Sequence, residues 1–129
     1  MQKTFGIIAA VYGALAVILG AFGAHALKDK LDTYQLDIFN KGIQYQFYHV
    51  AALLAVVALS EKIAAKTLAY AGWSFSAGIL FFSGSLYLLA TRSLLGIDAL
   101  TPILGPITPI GGLCFIAGWI FLLISFLKM

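Results

Sequence analysis

Four long apolar stretches dominate this chain, and each can cross a bilayer core roughly 30 Å thick, which takes about 20 helical residues. They run over Thr4 to Leu27, Gly42 to Ser60, Ile63 to Thr91 and Thr108 to Leu127, with Lys66 the one charged residue inside them. Lipid offers a bare backbone no hydrogen-bond partner, which excludes an open sheet, and the runs lack the alternation of a membrane barrel. The expected fold is therefore all-α: an integral membrane antiparallel four-helix bundle, one membrane domain over residues 1–129.

Composition closes the other routes. The chain is 62% apolar and 10% charged, with a mean hydropathy of +1.01. Eight basic and five acidic residues cannot coat a soluble domain, in which about a quarter of residues carry charge. Water-soluble enzymes, nucleic-acid binders and disordered tails are excluded. The net charge of +3 is spread singly, which suits lipid headgroups and gives no footprint for nucleic acid. Cys114 stands alone, so an internal disulfide, a CxxC pair and a thiolate-rich metal site are excluded. Lys3, the first apolar run and Ala24-His25-Ala26 imitate a cleavable leader. That run outlasts the usual h-region of about 7–15 residues, so it is expected to stay as a span.

Four spans put both termini on one side. That side carries Lys3, Lys62, Lys66 and Lys128, and the other carries Lys28, Lys30, Lys41 and Arg92. The positive-inside rule thus returns a tie; the tight loop holding Lys62 and Lys66 favours cytoplasmic termini.

The connections differ in kind. Within residues 28–41, Leu27, Leu31, Tyr34 and Ile38 form one helical stripe, which predicts a short amphipathic helix lying in the interface between spans one and two. Ser60-Glu61-Lys62 predicts a tight hairpin between spans two and three. Residues 92–107 hold Pro102 and Pro106, which argues against helix there. Thr108-Pro109 then reads as the N-cap and first turn of span four.

Membrane helices associate through close packing of small residues. Such residues recur every seven positions: Gly6, Gly13 and Gly20; Ala51, Ala58 and Ala65; Ala71, Gly78 and Ser85; Gly111, Gly118 and Ser125. A seven-residue period keeps one seam against a neighbour. Ala16, Gly20 and Ala24 add small-xxx-small spacing.

No aspartate or glutamate lies within a span, which removes the carboxylate-coupled transport of small four-span multidrug exporters. Paired-cysteine chemistry fails on Cys114 alone. What remains is a polar set expected to gather at the loop-bearing end: His25, His49, Gln44, Tyr45, Gln46, Tyr48, Ser83, Ser85, Tyr87 and Thr108. Three readings apply, in this order: interhelical hydrogen bonding, a pocket for a lipid headgroup, quinone or other amphiphile, and bis-histidine haem or metal ligation. No nucleophile–base set forms without importing Asp29 or Asp98 from loops, so a non-enzymatic protein is expected. No cofactor or metal is assigned. Trp73 and Trp119 fall towards the terminus-bearing side and receive no site.

Four signatures carry a family resemblance. They are Gly20-Ala21-Phe22-Gly23-Ala24-His25-Ala26-Leu27, Gly42-Ile43-Gln44-Tyr45-Gln46-Phe47-Tyr48-His49, Phe82-Ser83-Gly84-Ser85-Leu86-Tyr87, and Ile107-Thr108-Pro109-Ile110-Gly111-Gly112 with Phe115-Ile116-Ala117-Gly118-Trp119. In this order the chain resembles the YgdD-like family of small bacterial inner-membrane proteins of unknown function, to which animal transmembrane protein 256 is similar. Residues 97–106 look slightly expanded beside the family's short loop. The resemblance implies a four-span inner-membrane protein with a retained first span, and it brings no activity or catalytic residues. The expected role is that of an oligomer or an accessory subunit of a larger membrane complex, in contact with membrane lipids. The alternative is a bundle binding an amphiphile at the His/Tyr/Gln cluster.

Overall fold

The computed structural model describes residues 2–129, which form helices and turns without a strand among the described residues. Helix α1 spans Gln2–His25 and α2 spans Thr33–Leu59. The third span is composite: α3 (Lys66–Gly78), a π-helical turn (Ile79–Ser83) and α4 (Gly84–Ala90). A short α5 (Arg92–Leu95) and a 3-10 turn (Asp98–Leu100) lead into α6 (Thr101–Leu127). The four long helices are apolar enough to cross a membrane.

Each extensive interface joins spans that are consecutive in the chain. Helix α1 packs on α2; α2 packs on the third span along its length; that span packs on α6. Helices α1 and α6 make no comparable contact. The bundle is thus an open arc with α1 and α6 at its edges.

The first connection differs from expectation. Residues 26–32 are turns, and residues 33–41 are the first turns of α2 rather than a separate interfacial helix. The cause is a capping box. The Gln35 N–H donates to the Asp32 carboxylate at 2.7 Å, and the Asp32 N–H donates to the Gln35 side-chain oxygen at 3.2 Å. This fixes the helix start at Thr33 and carries it unbroken into the span. Leu27, Leu31 and Phe39 pack with Ala90 beneath this corner, whereas Tyr34 of the expected stripe is 68% exposed. Asp32→Ala should cost about 1 kcal/mol and Asp32→Asn a few tenths, as caps do; unfolding titrations in mixed micelles read the difference.

The prolines also sit differently. Helix α6 begins at Thr101, with Pro102 in its first turn and Pro106 and Pro109 inside it. Thr108 is therefore not an N-cap. Pro102 removes an N–H that the first turn would leave unpaired anyway. Pro106 and Pro109 face outward, and membrane helices tolerate proline inside a span. The Thr108 hydroxyl donates to the Leu104 carbonyl at 3.5 Å and pairs with Ser85 Oγ at 2.6 Å. Arg92 and Asp98 approach to 3.5 Å across the compact 92–100 segment.

The seven-residue period holds, but its phase is right only in half the molecule. Ala71, Gly78 and Ser85 face Gly111, Gly118 and Ser125, and all six are buried. Phe115 lies over Gly78 and Phe75 over Gly118, so each helix seats a ring in the other's glycine. In α1 the buried residues are Phe5 and the small set Ala9, Ala16 and Gly23, the latter three positions on from Gly6, Gly13 and Gly20. Nothing lies within 4 Å of where a Gly6 Cβ would be, and Gly13 and Gly20 would meet only ordinary contacts. In α2, Ala51 and Ala58 face outward; Phe39, Gly42, Gln46, His49, Leu53 and Val56 turn inward at coiled-coil spacing.

Candidate functional site

The π turn shapes the polar interior. Such a turn inserts a residue into a helix and shifts everything after it around the axis. Here the Gly84 N–H reaches back to the Ile79 carbonyl. The bulge presses the Phe82 backbone against α6 at Gly111, where an added Cβ would fall 2.3 Å from the Phe82 nitrogen. It also turns Ser83, fully buried, towards α2, where its hydroxyl donates to the Gly42 carbonyl at 2.7 Å.

The expected polar set resolves into a ladder rather than one spot. Ser85 with Thr108 ties α4 to α6 near the loop-bearing end. One step deeper, the Tyr87 hydroxyl donates to the Gln46 side-chain oxygen at 2.5 Å, and the Gln46 amide donates to the Tyr12 carbonyl at 2.7 Å. One glutamine thereby joins three spans. The Tyr12 hydroxyl donates to the Ser76 carbonyl at 3.1 Å, and Thr67 pairs with Ser125 at 2.7 Å towards the terminus-bearing end.

His49 is the centre of this ladder. Because α2 starts at Thr33, His49 lies roughly 24 Å along it at 1.5 Å per residue, near mid-depth rather than at the loop-bearing end. It is 4% exposed. Trp119 can only donate, so its indole N–H to His49 Nε2 at 3.1 Å assigns that nitrogen as acceptor. The proton then sits on Nδ1, which donates to the Tyr45 carbonyl at 2.7 Å. The neutral ring stacks on Phe115 at 3.6 Å between centroids and 6° between planes, with Phe75 beside it.

The other residues scatter. His25 is exposed at the end of α1, separate from His49, so the two histidines are not assembled into a ligand pair. Gln44 and Tyr48 face outward, and Tyr45 is half-buried beside Phe82. Among the described residues, each buried side-chain nitrogen or oxygen has a hydrogen-bond partner, and no group of three metal-ligating side chains occurs. The interior polar atoms are spent on holding helices together. Sequence reasoning missed Trp119, Tyr12 and Ser76. Only the indole N–H, which needs a partner in the apolar surroundings of a span, marked Trp119 in advance; its ring stays half-exposed on the bundle surface.

An apolar furrow of about 480 Å³ opens between α1 and α3, walled by Ile8, Val11, Tyr12, Trp73 and Leu80. A second hollow, of about 470 Å³, lies at the terminus-bearing end.

Residues 19–112 match the family described as Protein of unknown function (DUF423). The chain belongs to that family. It is 41% identical over 128 residues to the UPF0382 membrane protein YwdK of Bacillus subtilis, with 98% of each chain covered. It is 45% identical to a UPF0382 membrane protein of Staphylococcus epidermidis and 43% identical to the UPF0382 membrane protein SAB0533 of Staphylococcus aureus, again over 98% of each chain. No solved structure matches. Four spanning helices and these relatives make the chain a multi-pass membrane protein.

Proposed function

We propose that this DUF423 protein is a non-enzymatic membrane protein that works by lateral association, as an oligomer or as an accessory subunit of a membrane complex. The observation that carries this reading is a second, unfilled seam on α1. Ala10, Ala14, Val17, Ala21 and Ala24 recur at steps of four, three, four and three, and all five are exposed. Small residues at that spacing let another helix approach closely. Helix α1 packs along α2, touches α3 through Phe5 and Tyr12, and lies at an edge of the arc, so this face is open to a neighbour. The interior ladder supports the same reading from the other side. Its hydrogen bonds are internally satisfied, which fits glue between helices rather than a reacting centre. The kinship to YgdD-like proteins and animal transmembrane protein 256 is likewise our reading, supported by the four signatures.

Gently extracted protein should show a defined stoichiometry by native mass spectrometry. Ala14→Leu with Ala21→Leu should weaken that association by on the order of tenfold without unfolding the chain, since neither side chain touches the interior. A dispersed monomer without a partner would overturn the proposal.

A further inference from the structure

The charge of this molecule is segregated to one end. The loop-bearing end holds Lys28, Lys30, Lys41 and Arg92 against Asp29, Asp32, Asp37 and Asp98, and so balances to zero. Two of those cations are also paired, Lys41 with Asp37 and Arg92 with Asp98. The terminus-bearing end holds four lysines against Glu61 alone, so the whole net charge of +3 resides there. Glu61 in turn accepts a hydrogen bond from the Gln2 side chain at 3.5 Å and does not line the hollow at this end.

That hollow is where the lysines converge. Lys62 comes from the connection between α2 and α3, Lys66 from the first position of α3, and Lys128 from the end of α6. All three are exposed, and none forms an ion pair among the described residues. Ile63, Ala64, Ala65 and Met129 complete the wall with backbone and apolar side chains. No aspartate or glutamate side chain lines the hollow. Lys66 opens α3 and Lys128 closes α6, which puts these ammonium groups at span ends, where lipid phosphates lie.

The geometry points to a headgroup site: the Lys62–Lys66–Lys128 hollow binds the phosphate of an anionic phospholipid, whose acyl chains lie along the adjoining bundle surface. Three cations around a recess of about 470 Å³ select for negative charge. The half-apolar wall, and its position at the ends of two spans, favour a lipid over a free anion.

The test uses the full chain in mild detergent, offered phosphatidylglycerol and phosphatidylcholine together, with bound lipid read by native mass spectrometry. Each interfacial lysine is worth about fivefold towards an anionic lipid, so Lys62→Gln, Lys66→Gln and Lys128→Gln combined should lower the preference for phosphatidylglycerol roughly 100-fold. Lys28→Gln with Lys30→Gln, at the other end, should leave it unchanged. In the unsubstituted protein, phosphatidylglycerol should slow acetylation of Lys62, Lys66 and Lys128 more than that of Lys28 and Lys30. An unchanged preference in the triple variant, an equal loss in the control pair, or uniform acetylation would overturn the site. Displacement of the lipid by inorganic phosphate at constant ionic strength would overturn the lipid assignment.

Discussion

Gly111→Ala should destabilise the bundle by about 3 kcal/mol, the upper end of the usual cost of over-packing. The added methyl would fall 2.3 Å from the Phe82 nitrogen and 2.7 Å from its Cα. A flexible side chain can swing away from such a clash, but Phe82 meets α6 with its backbone at the π turn. Relief therefore requires α6 to move off the third span, which loosens the ring of Phe115 over Gly78 and the Ser85–Thr108 pair as well. Gly6→Ala is the matched comparison. With nothing within 4 Å of the new methyl, it should be neutral or gain up to about 1 kcal/mol from helix propensity. Unfolding in mixed micelles distinguishes the two. Equal effects would contradict the close approach of Phe82 to α6.

His49→Ala should cost about 3 kcal/mol, in the range of emptying a large buried side chain. It removes the ring stacked on Phe115, opens a void beside Phe75, and leaves the Trp119 indole N–H without its acceptor. Trp119→Phe, which deletes that donor and trims the ring beside Phe75, should cost less, about 1 to 2 kcal/mol, of which the bond itself accounts for about 0.6 and at most about 1.7. Combining the two substitutions should cost less than their sum, because the pair is lost only once. The readout is again unfolding in micelles, with helicity checked at the start. A His49→Ala protein as stable as the unsubstituted one would mean that the imidazole does not hold α2 to α6.

Sequence revealed some levels of this structure and hid others, for physical reasons. The four spans are legible because an uncharged run of sufficient length has few other fates. The seven-residue period is legible because packing demands it, but a glycine does not say which face it occupies. In α3 and α6, glycine and serine coincide with the buried seam. In α1 the glycines at 6, 13 and 20 sit beside the true seam of Ala9, Ala16 and Gly23. Helix starts were misplaced wherever a cap lay outside the apolar run. Asp32 and Gln35 extend α2 backwards, and Pro102 starts α6 well ahead of Thr108. Those displacements moved His49 to mid-depth and brought it to Trp119, a residue whose sequence position equally suits an interfacial anchor. The π turn left no mark in the pattern, because the small residues at 71, 78 and 85 keep their seven-residue rhythm straight through it.

The open arc bears on the order in which the molecule is made. Its extensive interfaces join spans adjacent in the chain, so each new helix meets its main neighbour as it enters the bilayer, without waiting for a distant one. Closing short connections is entropically cheap. Three partners nevertheless wait for the last span. Thr67, His49 and Ser85 all take hydrogen bonds from, or share them with, α6. Until that helix arrives, His49 and Ser85 keep only the bonds they make within their own spans, to the Tyr45 and Phe82 carbonyls. Helix α6 thus completes the hydrogen bonding of the interior.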